Sequence, residues 1–136
     1  MTTRQKITVQ NNLRECEALT AFLSDFFAQH ALPESIFNDI KLALEEAFTN
    51  IVNHAYDDTQ AHEIHIELTQ AANTMTLALS DKGKAFNPLS DAPAFNKQAD
   101  HCDGGMGIHL IRSLTDEQSY RRVGEYNVFT LTKHYT

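Results

Sequence analysis

Glu46-Ala47-Phe48-Thr49-Asn50 decides the fold, together with two later stretches, Asp81-Lys82-Gly83-Lys84-Ala85-Phe86 and Gly104-Gly105-Met106-Gly107-Ile108. The first stretch puts a carboxylate and an amide four residues apart, which is one turn of an α-helix. The second is an acid and a glycine after a strand-like run, and the third is a glycine run before an apolar helical pattern. Each stretch alone is weak evidence, so their order and spacing carry the argument.

The first stretch lies in a segment with helical periodicity. From Ser35 to Ala55 the apolar residues recur at three- and four-residue spacing, which predicts one buried face. Pro33-Glu34 is typical of a helix start. Glu46, Asn50 and Asn53 fall at i, i+4 and i+7 and therefore share one stripe. A solvated polar stripe and a ligand-binding stripe both fit this helix, and the pattern alone does not decide between them.

The glycine run is suited to binding an anion. Glycines let a backbone approach an anion closely, and the first N–H groups of a helix point at it with the positive end of the helix dipole. A glycine-rich turn that only caps the helix is the alternative. Because Gly104, Gly105 and Gly107 are three of the chain's five glycines, we favour the anion site.

Asp81 follows a run, Thr74 to Ser80, in which apolar and polar residues alternate as in a half-buried strand. An acid at the end of a strand, with Gly83 two residues later, could accept a hydrogen bond from an exocyclic amine such as that of adenine. Taken alone, an ordinary Asp-x-Gly turn explains it better. Together, the three stretches supply the parts needed to hold a metal ion, a purine and a polyphosphate.

Composition predicts a single globular domain over residues 1–136. The chain is 42% hydrophobic and 21% charged, and it has no apolar run near the roughly 20 residues of a membrane span. Residues Met1 to Gln10 lack a signal-peptide core, so we expect a cytoplasmic protein without a membrane partner. Cys16 and Cys102 show neither zinc-site nor disulfide spacing, which predicts free thiols.

The net charge of −7 argues against direct nucleic-acid binding, which needs clustered Lys and Arg. An acidic protein can still bind a nucleotide, because loop amides and a metal ion supply a local positive field.

Periodicity predicts an α+β two-layer sandwich with helices on one face of a mostly antiparallel sheet. A long segment without clear period, Phe86 to Asp103, is predicted to be a functional lid. The predicted helices are Leu13 to His30, Glu34 to Tyr56 and Gly105 to Leu114, and the predicted strands are Lys6 to Gln10, His62 to Thr69, Met75 to Ser80, Gln118 to Val123 and Asn127 to Thr132.

With these stretches, and with His54-Ala55-Tyr56 and Asn87-Pro88 beside them, the chain resembles the ATP-binding domain shared by gyrase, the histidine kinases and MutL. Within that superfamily it is similar to the small anti-sigma-factor serine kinases of bacteria. The resemblance implies the Bergerat-type ATP-binding fold, with ATP and Mg²⁺ as cofactors.

The resemblance also implies roles for single residues. Asn50 looks like the amide that coordinates the magnesium ion, and Glu46 like the general base that activates the acceptor hydroxyl. Asp81 resembles the acid that reads the adenine amine, with Gly83 allowing the base to lie close. The implied phosphate-facing residues are Gly104, Gly105, Met106, Gly107 and Ile108.

Two positions depart from the pattern of the wider superfamily, and a third residue is an alternative to Glu46. Ala85 stands where many relatives have a second glycine, and a small residue there should still permit nucleotide binding. Tyr126-Asn127 replaces a Gly-Thr pair, and Asn127 could supply the hydrogen bond to adenine that the threonine makes. Glu45 competes with Glu46 for the role of base, but it is rotated by about 100° from the stripe that Asn50 shares.

Two functions from different classes follow from the resemblance. The first is an ATP-dependent protein serine kinase that phosphorylates an anti-sigma antagonist of the sulfate-transporter-and-antagonist domain class, with a sigma factor as a second partner and a homodimer as its assembly. The second is an ATP- or ADP-dependent switch that sequesters a partner without phosphorylating it. The presence of both Glu46 and Asn50 favours the kinase, because a pure binder needs no base.

Overall fold

A five-stranded antiparallel sheet forms one layer of the structure. The computed structural model describes residues 2–91 and 105–136. Its strands follow the order β1-β2-β3-β5-β4 across the sheet, and each neighbouring pair is antiparallel. The strands are β1 (Thr3–Gln10), β2 (Glu63–Ala71), β3 (Thr74–Asp81), β4 (Glu117–Val123) and β5 (Tyr126–His134).

Helices cover one face of this sheet and form the second layer. The described helices are α1 (Cys16–Gln29), α2 (Phe37–His54), α3 (Pro88–Asp91) and α4 (Gly105–Leu114), and short 3-10 turns precede α1 and α2 at Leu13–Glu15 and Glu34–Ile36. Inward side chains alternate with half-exposed ones along β2 and β3, as expected when one face of a sheet is packed and the other is open. The predicted α+β two-layer architecture is confirmed.

Buried apolar side chains from both layers form one core. Burying such side chains is the main favourable contribution to folding, at roughly 1.5–3 kcal/mol for each large one. The fully buried large members are Phe26, Phe48, Phe129, Leu19, Leu23, Ile40, Leu44, Ile64, Ile66, Leu68, Met75 and Leu77.

Several predicted element boundaries were wrong. Strand β1 begins at Thr3 rather than Lys6, because Thr3 and Arg4 pair with β2 although their side chains show no apolar signal. The predicted helices from Leu13 and from Glu34 start instead as 3-10 turns, and they end at Gln29 and His54.

The later strands are longer than predicted because of their pairing. Strand β2 runs on to Ala71, and the turn to β3 narrows to Ala72-Asn73, which have φ of 48° and 59°. Positive φ at both residues is the geometry of a type I′ hairpin turn. Strand β5 extends to His134, which pairs with Thr74 of β3. At the other end of this pair, Asp81 lies opposite Asn127. Strands β3 and β5 therefore carry the predicted purine-reading acid and the neighbouring amide to the same end of the sheet.

None of the helices in residues 2–91 and 105–136 combines the length and the apolar character that crossing a membrane would require.

Candidate functional site

Helix α2 holds Glu46 and Asn50 against the first turn of α4. Asn50 is only 3% exposed, whereas Glu46 is half-buried and Asn53 is exposed. The buried Nδ2 atom of Asn50 has no hydrogen-bond partner among the described residues. A buried amide without a partner costs free energy, so this side chain is suited to a ligand.

Gly107 explains how closely α4 approaches this pair. A β-carbon added to Gly107 would lie 2.9 Å from Glu46 Oε2 and 3.7 Å from Asn50 Nδ2. Gly107 therefore provides the space that the Glu46 carboxylate fills. Its position in the first turn of α4 also places helix N–H groups that lack intrahelical partners beside the carboxylate and the amide.

The electrostatics at Glu46 are those of a carboxylate partly removed from water. Burial raises the pKa of Glu46 above its usual 4.5, and the negative charge of Glu45 raises it further. A higher pKa makes a carboxylate a stronger base once it is ionised. The neighbouring Glu45 forms an ion pair with Lys41 at 3.7 Å.

The second part of the site is the turn after β3. Asp81 is 1% exposed, and its Oδ1 accepts hydrogen bonds from the Gly83 N–H at 2.8 Å and from Asn127 Nδ2 at 3.1 Å. The Tyr56 hydroxyl, which accepts from the Lys82 N–H at 3.2 Å, lies close enough to Asp81 to lower the pKa of that acid. Burial raises the pKa of Asp81, and these hydrogen bonds and the positive charge of Arg122 oppose the rise. The Asp-x-Gly turn considered from the sequence is therefore present, with its acid buried and surrounded by donors.

Gly83 packs directly on the C-terminal end of α2. A β-carbon on Gly83 would lie 2.4 Å from the Ala55 carbonyl oxygen and 2.7 Å from Ala55 Cβ. The next residue, Lys84, donates its N–H to the same carbonyl at 2.9 Å. Any side chain at position 83 would force this backbone contact apart, so the protein itself requires glycine here.

This geometry agrees with the comparisons with known proteins. The family described as the histidine kinase-like ATPase domain matches residues 9–133. The chain belongs to the histidine kinase-like ATPase domain family. Because the match spans nearly the whole chain, the helices, strands β2 to β4, almost all of β5 and both parts of the candidate site lie within the ATPase domain.

Relatives of this chain include kinases and an anti-sigma factor. It is 33% identical over 97 residues to the serine/threonine-protein kinase BtrW of Bordetella bronchiseptica, covering 70% of this chain and 68% of the relative. It is 31% identical over 111 residues to the serine-protein kinase RsbW of Oceanobacillus iheyensis, with 75% and 66% covered. It is 29% identical over 101 residues to the anti-sigma F factor of Anoxybacillus flavithermus, with 72% and 69% covered. Each match spans about two thirds of the relative's length.

A solved structure supports the fold. The crystal structure of the RsbU and RsbW domains of a Mycobacterium tuberculosis protein superposes with a TM-score of 0.69 at 18% identity. The superposition covers 97% of this chain and 32% of the other. At that identity the likeness supports the histidine kinase-like ATPase fold and nothing finer.

Within the ATPase domain, helix α2 links the two parts of the site. His54, one helical turn after Asn50, stacks on Phe86 with ring centroids 5.1 Å apart and an interplanar angle of 26°. Ala55, the next residue, is the one that Gly83 contacts. The end of α2 is therefore packed against the Asp81 turn, while the helix interior carries Glu46 and Asn50.

The remaining predicted site residues are placed as follows. Ala85 is exposed in the Asp81 turn, and Gly105, Met106 and Gly107 form the first turn of α4. The Ile108 side chain is buried in the core, so only its backbone can face a ligand. Gly104 and most of the predicted lid, residues 92–103, lie outside the described residues.

Sequence reasoning missed several residues that complete the site. Tyr56 was quoted only as part of the resemblance, and Tyr120 and Arg122 of β4 were not considered for the site. Strand alternation places Tyr120 and Arg122 on the same face of β4, which was the one available signal. Their distance in sequence from Asp81 hid the contact, because only the pairing of β4 with β5 brings them near it.

Proposed function

We propose that this chain is an ATP-dependent protein serine kinase that acts as an anti-sigma regulatory factor. The carrying observation is the half-buried Glu46 carboxylate beside the buried Asn50 amide, whose Nδ2 has no partner among the described residues, both against the N-terminal turn of α4. A site that only bound nucleotide would need no carboxylate of raised pKa at this place. Relatives named serine-protein kinase and anti-sigma factor support the same proposal.

Glu46 would act as the general base. Its carboxylate takes the proton of the acceptor serine while the serine oxygen bonds the γ-phosphorus of ATP and the bond to the β-γ bridging oxygen breaks, releasing ADP. Phosphoryl transfer depends mostly on positioning and charge stabilisation, so one base and a preorganised phosphate site suffice. The backbone of the first turn of α4, from Gly105 to Ile108, would supply N–H donors to the phosphates.

The described residues fit a magnesium ion. The Asn50 side chain is buried, its Nδ2 has no partner among the described residues, and rotation about its last side-chain bond can present oxygen, which is the ligand atom that Mg²⁺ prefers. When bound, the ion would neutralise charge on the phosphates. Asn50→Ala should therefore weaken binding of ATP with magnesium and transfer together, whereas ATP binding without magnesium should change little.

The Asp81 turn would hold the adenine. An acid that is 1% exposed can accept a hydrogen bond from the adenine amine but would repel the keto oxygen of guanine. Gly83 and the exposed Ala85 leave the turn without large side chains on the approach to Asp81.

The partners follow from the proposed reaction. We propose that the acceptor is a serine of an anti-sigma antagonist of the sulfate-transporter-and-antagonist domain class, that a sigma factor is the second partner, and that the kinase works as a homodimer. Such partners meet in the cytoplasm. Light scattering of the purified chain, with and without ATP, tests the homodimer.

The deciding experiment incubates the purified chain with magnesium, γ-labelled ATP and the antagonist proteins encoded near its gene. Label on one antagonist serine, lost when that serine is changed to alanine, is the expected result. If the chain binds both ATP and an antagonist but transfers no label, the kinase proposal is wrong, and an ATP-dependent binding switch is the function.

A further inference from the structure

The side chain of Asn127 is at the centre of the hydrogen-bond network around the Asp81 turn. It lies on β5, directly across from Asp81 of β3, and is 4% exposed. Its Nδ2 donates to Asp81 Oδ1 at 3.1 Å and to the Lys84 carbonyl at 2.9 Å. One buried amide thus bonds both the acid and the backbone that follows it.

The carbonyl end of the same amide is also occupied. Asn127 Oδ1 accepts from the Phe86 N–H at 3.2 Å, from the Tyr120 hydroxyl at 2.5 Å and from Arg122 Nη1 at 3.1 Å. An amide group has two N–H donors and one oxygen acceptor with two lone pairs. Because both N–H donors are used within the protein, Asn127 is poorly placed to bond adenine itself.

Arg122 of β4 also bonds the Asp81 turn. In addition to its bond to Asn127, Nη1 donates to the Gly83 carbonyl at 2.7 Å. The guanidinium and the amide therefore both hold the turn, and the Gly83, Lys84 and Phe86 backbone groups are all bonded to β4 or β5. A turn held in this way is preorganised, so little ordering is left for a ligand to impose.

The acceptor sites of Asp81 also indicate that the turn is preorganised for one ligand. An ionised carboxylate offers about four lone-pair positions. Two protein donors, the Gly83 N–H and Asn127 Nδ2, both bond Asp81 Oδ1. Because both of these hydrogen bonds fall on Oδ1, Oδ2 is the oxygen suited to the amine hydrogen of a ligand.

We propose that Asn127 is a positioning residue for base selection: it fixes the Asp81 carboxylate and the Gly83–Phe86 backbone so that one acceptor faces the adenine amine. This inference rests on the proposed function, because it assumes that the Asp81 turn holds the base of ATP. It differs from the sequence-based suggestion that Asn127 itself bonds adenine.

The test uses Asn127→Asp, which keeps the shape and the acceptor oxygen but removes the donor to Asp81. Calorimetry measures Kd for ATP, GTP and inorganic tripolyphosphate, which reports the phosphate site without a base. We expect ATP to bind about 10-fold more weakly or worse, the ratio of Kd for GTP to Kd for ATP to fall toward one, and tripolyphosphate binding to stay within about twofold. The kcat at saturating ATP should stay within about twofold.

Thr115→Val is the matched control. Thr115 is buried to a similar extent, 6% exposed, and within the described part of the chain its hydroxyl bonds the Ile111 carbonyl and Gln118, away from the Asp81 turn. This variant should lower Tm without changing the ratio of Kd values. Arg122→Gln is a second probe at a largely exposed position, where folding is not at risk, and it should lower the ratio in the same direction by a smaller factor.

The outcomes separate this inference from the proposed function. If the wild type selects ATP over GTP and a folded Asn127→Asp keeps that selectivity, Asn127 does not position the base, and the kinase proposal is unaffected. If Asn127→Asp weakens tripolyphosphate as much as ATP, its role is general structural support, and the inference is also wrong. If the wild type binds no ATP, the proposed function fails and this inference fails with it. Should Asn127→Asp not fold, unchanged selectivity in Arg122→Gln overturns the inference.

Discussion

Gly107 and Glu46 are in such close contact that a single β-carbon on Gly107 would lie 2.9 Å from Glu46 Oε2. Separations below about 3 Å are shorter than a carbon–oxygen contact tolerates, so either the carboxylate or helix α4 would have to move. The carboxylate is the end of a flexible side chain, whereas the helix packs through Ile108 and Ile111 into the core. We therefore expect the carboxylate to move.

Gly107→Ala should accordingly impair transfer without loss of stability. Alanine favours a helix by up to about 1 kcal/mol over glycine, so Tm should stay or rise. Displacing the base by a fraction of an ångström to 1 Å should lower kcat by about 10- to 100-fold. Steady-state kinetics and thermal unfolding check both effects. Ser113→Ala, at an exposed position on the same helix, should leave kcat unchanged. Wild-type kcat in Gly107→Ala would show that the Glu46 position is not critical.

Glu46→Gln should abolish most transfer but keep nucleotide binding. The amide preserves the volume and loses only the ability to take the serine proton, which contributes about 10²- to 10⁴-fold in rate. Single-turnover transfer and calorimetry with ATP measure the two quantities. Glu45→Gln is the matched control and should retain most activity. If the two variants exchange phenotypes, Glu45 is the base.

The rate of transfer should fall with acid at a pH above 4.5, because the pKa of Glu46 is raised by burial and by Glu45. The base acts when ionised, so activity is present above the pKa and is lost as the pH falls through it. The acid limb of the profile of kcat/KM against pH, where activity falls, measures this loss. Glu45→Gln removes one cause of the shift and should move the limb to lower pH. A limb that stays in place in Glu45→Gln would mean that another group controls it.

Local sequence patterns predicted the architecture well, and they also predicted the helix and the strand that carry the candidate site residues. Helix periodicity around Glu46 and Asn50, and strand alternation before Asp81, need only neighbouring residues to be recognised. The glycine run predicted the start of α4 at Gly105 correctly. These features depend on residues close together in the chain, so they can be predicted from the sequence alone.

Contacts between distant segments could not be predicted in the same way. Asn127 bonds the Asp81 turn from 46 residues away, and Arg122 reaches Gly83 across 39 residues. The need for glycine at position 83 comes from the Ala55 carbonyl rather than from the turn alone. Such contacts depend on strand order and helix packing, which local spacing does not specify.

Ala31→Gly should stabilise the protein. Ala31 follows α1 with φ of 51°, and the Leu32 N–H bonds the Phe27 carbonyl at 3.0 Å, which is the Schellman arrangement that usually contains glycine. Left-handed φ costs an alanine roughly 1 kcal/mol that glycine avoids. Urea unfolding should show a gain of about 0.5–1 kcal/mol. Ala28→Gly, exposed within α1, is the opposite control and should lose about as much. Equal losses in both variants would contradict the strain argument.

Asp81→Asn should weaken ATP binding and remove the preference for adenine. The carboxylate accepts from the Gly83 N–H at 2.8 Å and from Asn127 at 3.1 Å. An amide in its place would turn an N–H group either toward these two donors or toward the adenine amine. Badly paired buried donors cost about 1–3 kcal/mol, so Kd for ATP should rise by about 5- to 100-fold. Binding of GTP should change less, because its keto oxygen accepts the hydrogen that the new amide offers.

Calorimetry with both nucleotides makes the comparison, and Asp57→Asn, at an exposed position near the same turn, is the control that should alter neither affinity. Equal ATP and GTP affinities in the wild type would remove Asp81 from the role of base reader, whatever its substitution does.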